Sequence, residues 1–265
     1  MPSPETRSTD DALTIIAISA LACILQDVLH EAFGHGLTAW LSGAHNLTVS
    51  TVALQSDLET RWISANGTLV NLLFGAIFWF VLRDPRRFKP ATAYFLIIAM
   101  AGNLFTGTGY FLFSGVMNFG DWAAVIRGLD PPWLWRTGLI VLGVLAYYFS
   151  MRLVAVKLAC FRATEACPQR VRRVSWTPYF TDAILAGLAA LLSPLGLFYV
   201  IASALPSTLG ANAGLLSLPS LIPVWHRDAI EPAGPIRRSV PWIVVGLFAS
   251  LAFIFVLGRG LSWSR

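Results

Sequence analysis

Leu29-His-Glu-Ala-Phe-Gly-His-Gly36 lies inside an apolar run that begins at Leu13 and continues to about Leu41. A helix that crosses a bilayer needs about 20 apolar residues, so this run predicts a membrane span. It nevertheless carries Gln26, Asp27, His30, Glu31 and His35. Ionisable groups are costly in hydrocarbon and mark a functional site by default. The fold class and the candidate site are therefore read from the same 30 residues.

The rest of the chain agrees with a membrane setting. Of its 265 residues, 56% are hydrophobic and 12% are charged, about half the charge of a soluble domain. Too few charges are present to solvate a globule of this length, which excludes an ordinary cytosolic enzyme, a nucleic-acid binder and a disordered tail. Five further apolar segments follow: Leu69–Leu82, Ala91–Phe113, Trp133–Leu158, Ala183–Leu205 and Val240–Leu257. The expected fold is an all-α polytopic membrane protein of about six transmembrane helices. A β-branched, partly alternating stretch from Asn46 to Leu54 predicts a small β-hairpin between the first two. Residues 1–265 read as one transmembrane domain, with a core over 12–130, additional spans over 131–265 and an extramembrane loop over 206–239, rich in Pro, Ser and Gly.

Arg83 to Lys89 holds four basic residues, and Arg152 to Arg173 holds several more. The positive-inside rule places these loops, and both termini, in the cytoplasm of a multi-pass protein of the plasma (inner) membrane. Trp40, Trp62, Trp122, Trp133, Trp135 and Trp242 are expected at the opposite interface. The polar, acidic N-terminus lacks a basic n-region, so the first run reads as a retained span. Cys23, Cys160 and Cys167 show no metal-binding spacing and read as packed or idle thiols.

The chemistry rests on His30-Glu-Ala-Phe-Gly-His35. In H-E-x-x-H, two histidines four apart bind Zn²⁺ from one helix face and the glutamate is general base. Here they are five apart, which on a regular α-helix turns the second roughly 140° from the first. A π-bulge absorbs one residue and restores a shared face, and Gly34 eases that distortion. The H-E-x-x-G-H spelling resembles that of the dipeptidyl peptidase III family, which binds zinc. A di-iron desaturase needs more histidines than His30, His35, His45 and His226.

Two later elements extend the resemblance. Gly67-Thr-Leu-Val-Asn71 is similar to the G-P-x-x-N turn of the site-2 proteases, with Thr68 in place of Pro. Val116-Met-Asn-Phe-Gly-Asp121-Trp122 sits where that family supplies its aspartate ligand. Residues 12–130 thus resemble the core of a site-2 protease, an intramembrane zinc metalloprotease. The resemblance implies a Zn²⁺ cofactor held by His30, His35 and Asp121, with Glu31 as catalytic base and Asn71 as hydrogen-bond donor to the oxyanion. Its substrate would be a transmembrane protein or peptide in the lipid bilayer. The alternative is a non-catalytic transporter or partner-binding pseudoprotease that uses the cluster as a polar or proton-relay network. His45 and His226 read as solvated, and Gly102, Gly107 and Gly109 as small residues for close helix packing.

Overall fold

The computed structural model describes residues 10–162, 168–196, 198, 200, 201, 206–225 and 233–264. The first helix, α1 (Ala12–Leu41), starts at Asp11, whose side chain accepts the Thr14 N–H. After Val28 its apolar α-helical turns widen into a π-helix over Leu29–Gly36, then tighten again to Leu41. The hairpin follows as β1 (Asn46–Val49) and β2 (Leu54–Ser56). Helix α2 (Arg61–Val81) is capped by Thr60, which accepts the Ile63 N–H. Helix α3 (Pro90–Met117) begins on a proline, which loses no hydrogen bond there.

Helix α3 is central, packing against α1, α2 and α5 (Pro132–Phe161). Ile97, Met100 and Phe105 of α3 are buried with Ile15 and Ile18 of α1 and Leu158 and Phe161 at the end of α5. The chain continues through α6 (Pro168–Ala190), α7 (Gly214–Trp225) and α8 (Val240–Leu257) to β3 (Leu261–Ser264). Strand β3 pairs antiparallel with β1, placing Leu47 opposite Trp263 on one side and opposite Ser56 on the other. The strand order is β2-β1-β3, so β2 is an edge.

An all-α polytopic architecture with a small hairpin is what the structure shows, with five helices among the described residues long and apolar enough to cross a membrane: α1, α2, α3, α5 and α8. The expected span at Ala183–Leu205 is replaced by α6, which starts earlier and ends at Ala190. Residues 206–225 are ordered and not irregular. They wind through short π and 3₁₀ turns into α7, whose Leu215, Leu218 and Ile222 are buried in the main core. Tyr147 of α5 holds this entry, donating to the Ala211 carbonyl at 2.5 Å and accepting the Gly214 N–H at 2.9 Å.

The two ends of the described residues, Asp10 and Ser264, lie at opposite ends of the bundle. Asp10 is paired with Arg170 at the α6 start and accepts the Ile236 N–H, while β3 joins the hairpin at the far end of α1. Trp242 departs from its expected interface. It sits in the first turn of α8, its ring 5.3 Å from Phe95 in the second turn of α3, at the end that holds the basic loop Arg83–Lys89.

Candidate functional site

The π-helix aligns residues five apart, and His30 and His35 of α1 point the same way as a result. Their Nε2 atoms lie 3.2 Å apart. The third member comes from the turn after α3. Asn118 adopts a left-handed conformation (φ 52°) and Gly120 also has positive φ (82°), reversing the chain so that α4 (Asp121–Ile126) begins beside the histidines. Asp121 Oδ2 is 3.2 Å from His30 Nε2 and 3.3 Å from His35 Nε2. Three atoms thus form a nearly equilateral triangle.

The remaining hydrogen bonds fix the tautomers. His35 Nδ1 lies 2.7 Å from the Ile63 carbonyl, which only accepts, so Nδ1 carries a proton. His30 Nδ1 lies 2.6 Å from Asn71 Oδ1. The Asn71 amide is oriented by its own donations to the Gln26 carbonyl (3.1 Å) and Asn103 Oδ1 (2.8 Å), so His30 Nδ1 is the donor there. In the neutral imidazoles both Nε2 atoms therefore present lone pairs, facing each other and a carboxylate oxygen. Three acceptors at this spacing repel unless positive charge lies among them, as a shared proton or as a cation. The set is one that could hold a metal ion.

The tight packing has a backbone cause. A Cβ on Gly34 would lie 2.8 Å from the Gly67 nitrogen and 2.9 Å from the Asn66 carbonyl, so α1 and α2 cross with their main chains in contact. A Cβ on Gly67 would fall 2.6 Å from His35 Cε1 and 2.8 Å from His30 Cε1. The empty side of Gly67 is the space that both imidazoles occupy. Tyr110 of α3 closes the other side, its ring stacked on His30 at 4.7 Å.

Glu31 is buried, takes the Leu54 N–H of β2, and has one oxygen, Oε2, with no hydrogen-bond partner among the described residues. It lines a cavity of about 750 Å³ together with His35, Asp121, Tyr110, Leu54 and Arg127. Burial works to raise the Asp121 carboxyl, but the positive charge of His35, when protonated, outweighs it together with that of His30 and holds the group below the usual carboxylate range.

The structure brings together His30, Glu31, His35, Asn71 and Asp121. Asn71 departs from its expected part: both amide hydrogens are engaged and its oxygen faces His30, so it positions that ring. Asp27 does not join the triangle and instead neighbours Glu31 and Asp182 of α6. His45 is exposed, its backbone tied to Asp57. Cys23 and Cys160 are free and buried, while His226 and Cys167 lie outside the described residues. Sequence reasoning missed the Gln26 carbonyl, Tyr110 and the Ile63 carbonyl. Backbone and ring contacts leave no residue-type signal, whereas Asn103 was visible as a polar residue inside a span.

No protein-family model matches the chain, and no solved structure does. Among curated proteins, it is 29% identical over 136 residues to the rhomboid protease GlpG of Yersinia enterocolitica serotype O:8 / biotype 1B. The chain resembles a rhomboid protease. The match covers 50% of this chain and 45% of that protein, so this chain spans about half the length of the curated relative it matches.

The similarity overturns part of the sequence reading. It is to a rhomboid protease and not to a site-2 protease, and rhomboid proteases are serine proteases that need no metal cofactor. The site-2 resemblance, the zinc metalloprotease activity and the Zn²⁺ cofactor are corrected accordingly. The triangle of acceptors explains the misreading, since the same convergence of imidazoles and a carboxylate serves proton chemistry as well as ligation. The non-catalytic alternative is not favoured either.

Proposed function

We propose that this protein is an intramembrane protease, cleaving peptide bonds of membrane-embedded substrates at the His30–Glu31–His35–Asp121 cluster. One observation carries the reading: the triangle of His30 Nε2, His35 Nε2 and Asp121 Oδ2, with the partnerless Glu31 Oε2 beside it on a single cavity. Similarity to a rhomboid protease supports the protease part of this reading, not the choice of nucleophile.

Peptide hydrolysis needs a base to activate the nucleophile and an acid to protonate the leaving amine. Glu31, which lines the cavity and has one oxygen without a hydrogen-bond partner among the described residues, is suited to take the proton. A protonated imidazole paired with Asp121 is suited to deliver one. Asn71 and the Ile63 carbonyl hold the two rings, so the cluster does not reorganise during the reaction.

Ser114 favours a second reading, in which the nucleophile is a serine. Its hydroxyl is buried with no hydrogen-bond partner among the described residues, one turn along α3 from Tyr110. A methyl placed on Gly120, the residue before Asp121, would lie 3.5 Å from Ser114 Oγ. Among the described residues no serine hydroxyl is hydrogen-bonded to a histidine, so this reading needs Ser114 to approach His30 when substrate binds.

The test uses the full chain in proteoliposomes with a panel of labelled transmembrane peptides. Cleavage abolished by Glu31→Gln, His35→Ala and Asp121→Asn supports the proposal, while unchanged cleavage in all three refutes it. Fluorophosphonate labelling lost in Ser114→Ala selects the serine reading; no labelling with full activity in Ser114→Ala selects water. Stoichiometric metal in the purified protein, lost in His30→Ala, would overturn the metal-free chemistry.

A further inference from the structure

We propose that the end of the bundle opposite the histidine cluster carries a binding site for the headgroup of an anionic glycerophospholipid, formed by Lys89, Arg237 and Arg238. These three residues line a cavity of about 830 Å³ between the start of α3 and the segment that leads into α8. All three are exposed, and none makes a hydrogen bond or contact ion pair among the described residues.

Two described carboxylates nearby, Asp11 and Asp10, are engaged elsewhere. Asp11 feels the charge of Arg238, but its Oδ1 accepts the Thr14 N–H at 2.9 Å and the Thr14 hydroxyl at 2.7 Å. Asp10 is held by Arg170 at 2.8 and 3.0 Å. Three cations line one cavity with no carboxylate paired to them among the described residues, a field that favours binding of an anion.

The backbone adds to this field. Lys89 and Ser239, the N-cap residues of α3 and α8, provide no side-chain cap, and each helix has a proline in its first turn. The N–H groups of Ala91 and Thr92 therefore have no acceptor within their helix, and the positive ends of two helix dipoles face the same cavity. Phosphate oxygens satisfy such groups.

Shape and surroundings commit the occupant to a lipid and not to free phosphate. The cavity floor is apolar, made by Pro90, Trp242 and Val245. Val245 belongs to the outward face of α8, where Val244, Leu247, Phe248 and Leu251 are also exposed on a membrane-crossing helix. A cationic rim therefore continues into a surface already facing acyl chains. Basic residues and a Trp at a helix end are the composition that recognises anionic headgroups at the interface.

The experiment titrates the full chain, purified in a neutral detergent, with short-chain phosphatidylglycerol and counts bound lipid by native mass spectrometry. The Lys89→Ala/Arg237→Ala/Arg238→Ala variant is expected to weaken phosphatidylglycerol binding on the order of a hundredfold. Lys89→Arg/Arg237→Lys/Arg238→Lys keeps the charge and is expected to keep the binding, which separates loss of the site from loss of the fold. Arg87→Ala and Arg259→Ala, outside the cavity, should bind as wild type does. Equal binding of phosphatidylcholine, unchanged binding in the alanine variant, or loss in the charge-conserving variant would each overturn the proposal. Displacement by low-millimolar inorganic phosphate would show a free-anion site and overturn the lipid assignment.

Discussion

Gly67→Ala places one methyl group against both histidines. Its Cβ would lie 2.6 Å from His35 Cε1 and 2.8 Å from His30 Cε1, where carbon atoms ordinarily rest about 3.5–4.0 Å apart. Each ring must retreat by about 0.7–1 Å. Neither can do so freely, because His35 Nδ1 is held to the Ile63 carbonyl at 2.7 Å and His30 Nδ1 to Asn71 at 2.6 Å. Overpacking a filled site costs about 1–3 kcal/mol, and loss of one of these buried hydrogen bonds adds about 1–3 kcal/mol. A destabilisation of roughly 2–6 kcal/mol follows. Turnover falls as well, since a displacement near 1 Å costs on the order of a hundredfold in rate. The assay pairs cleavage of a transmembrane peptide in proteoliposomes with thermal unfolding in detergent. Gly75→Ala is the control. Its methyl would press mainly on the flexible end of Leu104, at 2.6 and 2.8 Å, away from the histidines, so it should lower stability with little change in turnover. If Gly67→Ala retained turnover within about threefold of wild type, with an unchanged unfolding midpoint, the claim that Gly67 is the space for both imidazoles would fail.

Other perturbations follow from the same contacts. Asn71→Ala frees His30 and leaves the Gln26 carbonyl and Asn103 Oδ1 without their donor; a loss of about 2–4 kcal/mol in stability is expected, and activity should fall while Asn71→Asp restores part of it by keeping an acceptor for His30. Tyr147→Phe removes the hydroxyl shared by Ala211 and Gly214, and should destabilise the entry to α7 by about 2 kcal/mol, read as faster amide exchange over 211–218 with the histidine site intact. Asp57 is held below its usual range: the slight burial effect is outweighed by hydrogen bonds from the Asn46 and His45 backbone and the Asn46 side chain. A depressed carboxyl contributes stability above its unfolded value and loses it as pH falls through the lower folded value. Amide protection of Leu54 should therefore hold from neutral pH to about pH 4 and decline below that, and Asp57→Asn should flatten this dependence; an unchanged profile would show that Asp57 does not hold the hairpin.

How far the sequence reached is best seen at three residues. The membrane setting followed from charge scarcity and runs of about 20 apolar residues, because the bilayer imposes a length that composition alone can meet. His30 and His35 were legible as a pair needing a π-bulge, since five residues on a regular helix diverge by an angle that arithmetic supplies. Asp121 was legible only as a candidate. What makes it a neighbour of both histidines is the left-handed Asn118 and the positive φ of Gly120, a backbone reversal that depends on where α3 ends.

Composition and spacing thus determined a polytopic helical membrane protein with an intramembrane His–Glu–His cluster. Tertiary structure alone decided that α7 packs into the core, that β3 joins the hairpin, and that Gly67 yields its space to two imidazoles. The division has one physical reason. Hydrophobicity and helical period are summed over many residues and survive any arrangement, whereas a ring held at 2.6 Å by one amide depends on how two helices cross.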